Sequence, residues 1–267
     1  MKNSTINRAC AVLVLILAAS SVWATAYQER DEINRSFTLP AKARVQVVAI
    51  NGSVDIKAID GDTASVEIER TARSRAELDC NKVVLRQVSG NLFIRSENVC
   101  ENTVIQVRHR VLLSLPRNVD LSVIGVSGPV NVGEIEGTIS ISGNSGNINL
   151  AQSGRRSRIS GNMGTITIKL RKPYAGGLEL SGNSGPIKLY IGDELNAVVK
   201  VGGISGSVSS DLPNVTFHKA AAAADYYALI GSGGPTIYVP GHAGNFLLSQ
   251  YREEFFAKKR SKRWVRS

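Results

Sequence analysis

A corner motif of small residues recurs along the chain, and this repeat constrains the fold more than any other feature of the sequence. Each copy contains two glycines three positions apart, usually beside serine or asparagine. Five copies carry the pairs Gly125 and Gly128, Gly143 and Gly146, Gly161 and Gly164, Gly182 and Gly185, and Gly203 and Gly206, and a degenerate sixth copy follows at 230–236. The first glycines of the five copies thus follow one another at a nearly constant interval. Because glycine permits the positive φ angles of tight corners, each copy predicts a turn of the chain.

Aliphatic residues alternate with polar residues on both sides of each corner. Those two positions before the first glycine are Val123, Ile141, Ile159, Leu180 and Val201, and those two positions after the second glycine are Val130, Ile148, Ile166, Ile187 and Val208. This period-two alternation predicts a strand on each side of the corner. A single strand pair cannot bury its apolar row, but stacked copies bury a continuous column. We therefore predict an all-β fold, a β-solenoid with short return loops that rises about 4.8 Å per coil.

The equal steps from Gly125 to Gly143 and from Gly143 to Gly161 favour this solenoid over the alternative, an antiparallel β-sandwich of repeated hairpins, which needs no common register. The predicted domain spans 45–245, with regular repeats at 121–210, an insertion at 211–226 that contains a short helix over Ala220–Ala224, and a last coil at 227–245.

Asparagine occupies one corner position in three successive copies, as Asn144, Asn162 and Asn183. Stacked identical amides form hydrogen-bonded ladders in cross-β assemblies. The sequence therefore predicts a side-chain amide ladder along this corner.

The first residues have the features of a secretory signal peptide. Lys2 and Arg8 precede an apolar run, and Ala24-Thr25-Ala26 forms an A-x-A cleavage pattern. We predict a signal peptide over 1–26, cleavage between Ala26 and Tyr27, and a lead-in segment over 27–44. The alternative is an uncleaved anchor, but the apolar run is shorter than the roughly 20 residues that span a bilayer.

Two of the three cysteines remain after cleavage, Cys80 and Cys100. An even pair in an exported protein predicts one disulfide. It would close a hairpin whose turn is Ser89-Gly90-Asn91. A redox-active pair is the weaker interpretation, since no C-x-x-C motif is present.

Several stretches resemble a bacterial family known as the "putative adhesin" domain. The similarity begins at Val45–Ile56 (VQVVAINGSVDI), continues through Leu113-Ser114-Leu115-Pro116 and Val119–Val123, and extends into the repeats, covering about residues 36–240. Autotransporter-head-like adhesin domains form a sister group with similar S-G repeats. The resemblance implies an exported β-solenoid and supplies no catalytic residues.

Titratable residues are too sparse and scattered to indicate an active site. His109, His218 and His242 lie far apart in the chain, and His109 is expected on an exposed strand face. The acids of the regular repeats are Glu134, Glu136, Glu179, Asp193 and Glu194. Polysaccharide-active solenoid enzymes, the strongest enzymatic alternative, need clustered carboxylates with a cation or a basic residue on one face. We therefore predict no catalytic residues, no cofactor and no metal site.

Tyrosines near the insertion form one candidate binding site. Tyr226, Tyr227 and Tyr238 would line a groove for a sugar or a peptide, whereas the alternative is an insertion that only covers one solenoid edge.

The C-terminal segment 246–267 carries half of the net charge of +10, with seven basic residues against two glutamates from 251 onward. Leu248, Tyr251, Phe255 and Phe256 would share one face of an amphipathic helix that caps the last coil. The cations available to an anionic membrane surface are Lys258, Lys259, Arg260, Lys262, Arg263 and Arg266. Nucleic acid requires similar charges, but export excludes it as a natural partner.

These features together predict an exported, non-enzymatic envelope protein, periplasmic or at the cell surface, that offers a structural or interaction surface to protein or glycan partners. The alternatives are a polysaccharide-active enzyme and a peripheral membrane factor that acts through the basic tail.

Overall fold

A computed structural model describes residues 29–101, 105–151, 154–171, 176–219 and 225–252. The predicted all-β class is confirmed, since the described residues contain 21 strands and one short helix. In chain order they are β1 Glu29–Thr38, β2 Arg44–Val48, β3 Gly52–Ile59, β4 Thr63–Ala72, α1 Arg75–Cys80, β5 Asn81–Val88, β6 Asn91–Asn98, β7 Arg108–Pro116, β8 Asp120–Ile124, β9 Val130–Val132, β10 Ile139–Ser142, β11 Ile148–Leu150, β12 Ser157–Ser160, β13 Ile166–Leu170, β14 Leu178–Ser181, β15 Ile187–Ile191, β16 Ala197–Gly202, β17 Val208–Ser210, β18 His218–Lys219, β19 Tyr226–Ile230, β20 Thr236–Pro240 and β21 Phe246–Gln250.

The strands form two sheets. The first sheet has the order β1-β4-β7-β3-β9-β11-β13-β15-β21-β17, and the second has the order β18-β19-β16-β20-β14-β12-β10-β8-β2-β6-β5. The chain alternates between the sheets, so that β8, a corner and β9 form one unit, and β10, a corner and β11 form the next. We call such a unit a rung. Neighbouring rungs from β8 to β15 pair in parallel, and the register between them equals the interval between their corner glycines.

The core lies between the two sheets and consists of aliphatic columns. Ile148 is in register with Val130 on one side and with Ile166 on the other, and all three are fully buried. Each such side chain contributes about 1.5–3 kcal/mol on burial. The alternation of the sequence thus places one row of every strand in the core and the other row outside.

The two glycines of each corner have different tasks. The first adopts a positive φ, for example 64° at Gly143 and 61° at Gly161. The second packs against the preceding rung, so that a Cβ on Gly146 would lie 2.1 Å from the carbonyl oxygen of Gly128. The corner motif therefore combines a backbone requirement with a steric one.

The corner asparagines bind the neighbouring backbone rather than one another, so the predicted amide ladder does not form at this position. Asn144 Oδ1 accepts the backbone N–H of Val126 at 2.8 Å, and Asn183 Oδ1 accepts that of Asn162 at 2.9 Å. Buried backbone donors need a partner, and at these two corners the amide oxygen supplies it.

An additional rung precedes the repeats that the sequence indicates. It consists of β2 and β3, and its corner contains Ala49, with a φ of 57°, in place of the first glycine. The N–H of Ala49 donates to the carbonyl of Ile124, in the same way that Gly125 donates to Ser142. The substitution of alanine for glycine hides this copy from a search for glycine pairs.

The order of the rungs in space departs from the order in sequence at both ends. The rung β2–β3 lies between β6–β7 and β8–β9, and the rung β20–β21 lies between β14–β15 and β16–β17. The last strand, β21, therefore lies one strand inside the edge of the first sheet, whereas the first strand, β1, forms the opposite edge of that sheet. The last rung in the sequence is therefore not the last rung in the stack.

The predicted sixth copy at 230–236 is also wrong. The sixth corner contains Gly241 and Gly244, with Phe246 in the core column between Ile187 and Val208. Residues 231–235 instead form the turn between β19 and β20, which passes the start of β16 at Asn196. The apolar residue two positions after the second glycine marks a true corner, and 230–236 lacks it.

The predicted boundary at 246 and the helical face through Leu248 are wrong as well, because β21 is a strand. Phe246 and Leu248 are buried, and β21 pairs with both β15 and β17. Period-two burial here outweighs the helical spacing that the sequence also permits. The predicted insertion also divides differently, with β18 at 218–219 and β19 from Tyr226. The predicted signal peptide, the helix at Ala220–Ala224 and the cations from Lys258 onward lie outside the described residues.

A disulfide links Cys80 and Cys100, whose Cα atoms are 5.1 Å apart. It joins the end of α1 to the loop that follows β6, while β5 and β6 form the expected antiparallel hairpin. Ser89 and Gly90, at φ angles of 49° and 77°, make its turn. The disulfide therefore fastens α1 and the hairpin at one end of the stack.

Candidate functional site

One row of outward side chains crosses the second sheet near its β18 end. Glu179 is in register with Tyr238, Tyr238 with Lys200, Lys200 with Tyr227, and Tyr227 with His218. We call these five residues the tyrosine row. They point outward because the alternate residues of the same strands, among them Ile237, Val199 and Ala228, are buried in the core.

The two tyrosines of the row offer their rings to solvent. Tyr227 is 48% exposed and Tyr238 is 45% exposed. The ring of His218 stacks on Tyr227, with centroids 5.2 Å apart and an angle of 28° between the planes. Exposed aromatic rings of this kind are enriched in binding sites, because they bury much apolar area at a small entropic cost.

Two adjoining open cavities follow the tyrosine row. One, of about 640 Å³, is lined by Arg156, Gly177, Leu178, Glu179, Lys200, Thr236 and Tyr238. The other, of about 530 Å³, shares Lys200 and Tyr238 and extends to Asp225, Tyr226 and Tyr227. Together they form an open groove that crosses the neighbouring strands β14, β20, β16 and β19 of the second sheet.

Glu179 in the groove has ion-pair partners, whereas Lys200 has none in the part of the chain that the structure describes. Arg156 and Arg158 both bind the carboxylate of Glu179, with Arg156 Nη2 at 3.0 Å. The hydrogen bond from Arg158 holds the pKa of Glu179 below its usual value, and Arg156 adds to this effect. Lys200, by contrast, is exposed and has no ion-pair partner among the described residues. The Asp225 carboxylate at the far end of the groove accepts the backbone N–H of Gly203 at 3.2 Å.

The structure brings together the three tyrosines that the sequence singles out. Tyr226, Tyr227 and Tyr238 line one cavity, although Tyr226 is partly buried against the core. Sequence analysis misses Lys200, Arg156 and the role of Glu179. Glu179 follows Arg158 by the same interval that separates Gly161 from Gly182, and this spacing is a sequence signal that the two residues are neighbours. The position of Tyr238 between Glu179 and Lys200, however, depends on the rung that is out of sequence order.

His109 lies in a second polar cluster, and the expectation that it is exposed is wrong. It is 3% exposed, its Nε2 lies 2.9 Å from Asn81 Oδ1, and its Nδ1 faces the carbonyl of Asn51. Burial lowers the pKa of His109 to about 4, and the charge of Arg70 adds to the decrease. Arg70 is itself buried and binds Asp31. This cluster is closed to solvent and serves as packing at the disulfide end of the stack.

Glu179 does not have the surroundings of the catalytic acid of a glycoside hydrolase. Glycoside hydrolases need two carboxyl groups that flank the scissile bond, one of them protonated, whereas both arginines keep Glu179 ionised. No group of three or more metal-ligating side chains occurs within the described ranges. In the same part of the chain, no helix is long and apolar enough to cross a membrane. The arrangement is suited to holding a ligand by stacking and by charge.

Similarity to known proteins is detectable only at the level of structure. No family model matches the sequence, and no curated protein matches it. A "putative cell adhesion protein" from Clostridium sporogenes is 10% identical, with 84% of this chain and 100% of that one aligned and a TM-score of 0.49. A "putative adhesin" from Bacteroides fragilis is 13% identical over 82% of this chain and 97% of that one, with a TM-score of 0.40. A "putative adhesin" from Parabacteroides merdae is 11% identical over 83% and 96%, with a TM-score of 0.28. Adhesin-named bacterial proteins are thus found as structural neighbours at low identity.

Proposed function

We propose that the chain is an exported, non-enzymatic, adhesin-like protein of the cell envelope, a β-solenoid that binds a protein or glycan partner through the tyrosine row. The observation that carries the proposal is that Tyr227 and Tyr238, both half-exposed, flank Lys200 on an open groove, and that Lys200 has no ion-pair partner in the described part of the chain. Patches of aromatic and charged side chains on a protein surface are characteristic of interaction sites.

The scaffold supports this function because it fixes the binding side chains before the partner arrives. Lys200 and Tyr238 each stand between two buried neighbours on their strands, and Tyr227 directly precedes the buried Ala228. The backbone at these positions is thus fixed, and a tyrosine side chain with two χ angles loses little freedom on binding, so that more of its contact energy appears as affinity.

Export is the second part of the proposal. It rests on the signal-like segment 1–26, with cleavage between Ala26 and Tyr27, and on the Cys80–Cys100 disulfide. Disulfides persist mainly in oxidising compartments such as the periplasm and the cell surface. Either location is compatible with a partner in the envelope.

A polysaccharide-active enzyme is the second candidate, since Glu179, Arg156 and Lys200 do share one groove. The ion pairs of Glu179 argue against it, and a cleavage assay decides. Incubation of the mature protein with uronate and neutral polysaccharides, followed by chain-length analysis and ultraviolet detection of unsaturated ends, is expected to show intact polymers.

A peripheral membrane factor acting through the basic tail is the third candidate. The test is truncation after Arg252, which keeps the hydrogen bond from Tyr251 N to the carbonyl of Ile191. Association with anionic liposomes that disappears in the truncated protein, together with unchanged glycan binding, would assign the membrane role to the tail and leave the tyrosine row its own partner.

The binding proposal is tested with the mature protein on an array of neutral and acidic saccharides and extended peptides. We expect Tyr227→Ala and Tyr238→Ala to lower the affinity for the bound class at least tenfold each. Tyr190→Ala is the matched control, because Tyr190 lies on the outer side of the first sheet. Equal binding by all three variants, at unchanged thermal stability, would contradict the proposal.

A further inference from the structure

We propose that the partner of the tyrosine row is a linear anionic polysaccharide in which acidic and neutral sugars alternate. This inference rests on the proposed function and specifies its ligand. Three observations lead to it, namely the spacing of the tyrosines, the ammonium between them, and the continuation of the row across the sheet.

The spacing follows from the register. Tyr238, Lys200 and Tyr227 occupy three neighbouring strands. Strands lie about 4.8 Å apart, so the two tyrosine positions are about 10 Å apart with Lys200 midway. A tyrosine ring packs its face against the apolar C–H face of a pyranose. Two rings separated by one lysine therefore suit every second sugar of an extended chain.

An extended peptide fits this spacing less well. Its side chains on one face repeat about every 6.8 Å, so no two of them can contact Tyr227 and Tyr238 at the same time. A polyproline helix repeats about every 9 Å and comes closer. It would need an acidic residue at every repeat to meet Lys200, which makes an acidic proline-rich peptide the competing ligand in the test.

The charge of the site selects an anion. Lys200 has no ion-pair partner within the described residues, whereas the one carboxylate at its side of the groove, Glu179, is bound by Arg156 and Arg158. Asp225, at the other end, is engaged by the backbone of Gly203. The ammonium between the two aromatic rings therefore suits a carboxylate or sulfate on the middle sugar as its counter-charge. The lysine ammonium acts as a point charge and can therefore pair with either a carboxylate or a sulfate.

The outer face of the second sheet beyond the groove leaves room for further sugars of a bound polysaccharide. In the same row, Arg158 is followed by Ser140 and Ser122 on the next two strands. These short polar side chains leave the outer face of the second sheet low and hydrophilic. A polymer that leaves Tyr238 first meets Glu179 together with its partners Arg156 and Arg158, a group of two cations and one carboxylate with a net charge of +1, and then hydroxyl groups. This order favours a chain over a short oligosaccharide.

The test is a titration of the mature protein with hyaluronan fragments, in which a uronate alternates with a neutral sugar. Carboxyl-reduced hyaluronan of equal length is the neutral control, and keratan sulfate, which carries sulfate but no carboxylate, distinguishes the two anions. We expect the acidic polymers to bind at least tenfold more tightly than the reduced one, with an affinity that falls as salt rises.

Three variants attribute the effect to the site. Lys200→Met is expected to weaken binding of the acidic polymers about tenfold and to leave the reduced polymer unaffected, while Lys200→Arg retains binding. Lys188→Met, on an exposed position of the first sheet, is the matched control.

Each outcome decides a separate claim. Equal binding of acidic and reduced polymers, with loss of both in Tyr227→Ala, would overturn the anionic ligand and keep the proposed function. Binding of an acidic proline-rich peptide in place of the polymers, with the same dependence on Lys200, would overturn the polysaccharide. Failure of all ligands, with array binding that ignores both tyrosines, would overturn the proposed function itself.

Discussion

The ring nitrogen Nδ1 of His242 lies 2.7 Å from the carbonyl oxygen of Asn183, a residue 59 positions earlier in the chain. This hydrogen bond places the rung that comes last in the sequence directly on the fourth regular repeat. His242 occupies the corner position that asparagine holds in three earlier rungs, and it is 1% exposed. The groove depends on this arrangement, because the same rung carries Tyr238 between Glu179 and Lys200.

Substitution of His242 tests the out-of-order rung. We expect His242→Ala to lower the free energy of unfolding by about 2–3 kcal/mol, since it leaves a cavity and removes the hydrogen bond of the ring to the Asn183 carbonyl, which then keeps only the backbone N–H of Ala243. His242→Asn is expected to cost less than about 1 kcal/mol, because an amide at this corner can accept the backbone N–H of Asn183, as Asn144 and Asn183 accept those of Val126 and Asn162. Urea unfolding measures both, and equal losses for the two variants would contradict the shared corner position.

The two glycines of a corner are predicted to tolerate alanine differently. In Gly146→Ala the new Cβ would lie 2.1 Å from the carbonyl oxygen of Gly128, so the rungs must separate. We expect a loss of more than about 3 kcal/mol. Gly143→Ala adds only the strain of a positive φ, about 1–2 kcal/mol, and Ala49 already adopts this conformation at 57°. Thermal unfolding of the two variants gives the comparison, and a reversed order would be inconsistent with the packing.

His109 makes stability depend on pH. Its pKa is about 4 in the folded protein and 6.5 in an exposed chain. Between these values the unfolded chain binds a proton that the folded protein does not, so stability is complete above about pH 6.5 and declines as the pH falls to 4. This decrease in the pKa corresponds to at most about 3–4 kcal/mol of the free energy of unfolding.

The variant His109→Gln isolates this effect, because glutamine can still donate to Asn81 and does not titrate. Urea unfolding at pH 7 and at pH 4.5 is expected to show a smaller loss for the variant than for the parent protein. Parallel pH profiles for the two proteins would show that His109 is not the titrating group.

Reduction of the disulfide should weaken the protein without affecting its ligand site. Cys80 and Cys100 are 20 positions apart, for which loop closure gives about 3 kcal/mol. Strand β6, which Cys100 follows, and strand β20, which carries Tyr238, are six strands apart in the second sheet, about 29 Å. We expect the Cys80→Ser, Cys100→Ser double variant to unfold at lower urea and to bind saccharides with unchanged affinity. A matching loss of affinity would place the site near the disulfide end.

Sequence reasoning recovers the part of the fold that local chemistry determines. Alternation of Ile141, Ile159 and their neighbours is enough to place strands, because one residue in two must be buried. The glycine pairs locate the corners because a side chain at the second glycine would collide with the preceding rung, as a Cβ on Gly146 would with the carbonyl oxygen of Gly128. The pairing of Cys80 with Cys100 follows from the predicted export and from the fact that only these two cysteines remain after cleavage.

The rest depends on contacts between distant segments. Ala49 takes the role of a corner glycine, and Phe246 enters the core column between Ile187 and Val208, although its sequence context also permits a helix. Nothing local indicates that the last rung inserts between two earlier ones. The three tyrosines are visible as residues, but their alignment with Lys200 follows only from that insertion.

Ligand binding along the tyrosine row is tested most directly by an NMR titration of isotope-labelled mature protein with hyaluronan fragments. The amide and side-chain signals of Tyr238, Lys200, Tyr227 and Glu179 are predicted to shift together and saturably, while those of Lys188 and Asn149 on the first sheet remain unchanged. Shifts that are confined to the first sheet, or the absence of saturable shifts in the tyrosine row with every saccharide and peptide tested, would contradict it.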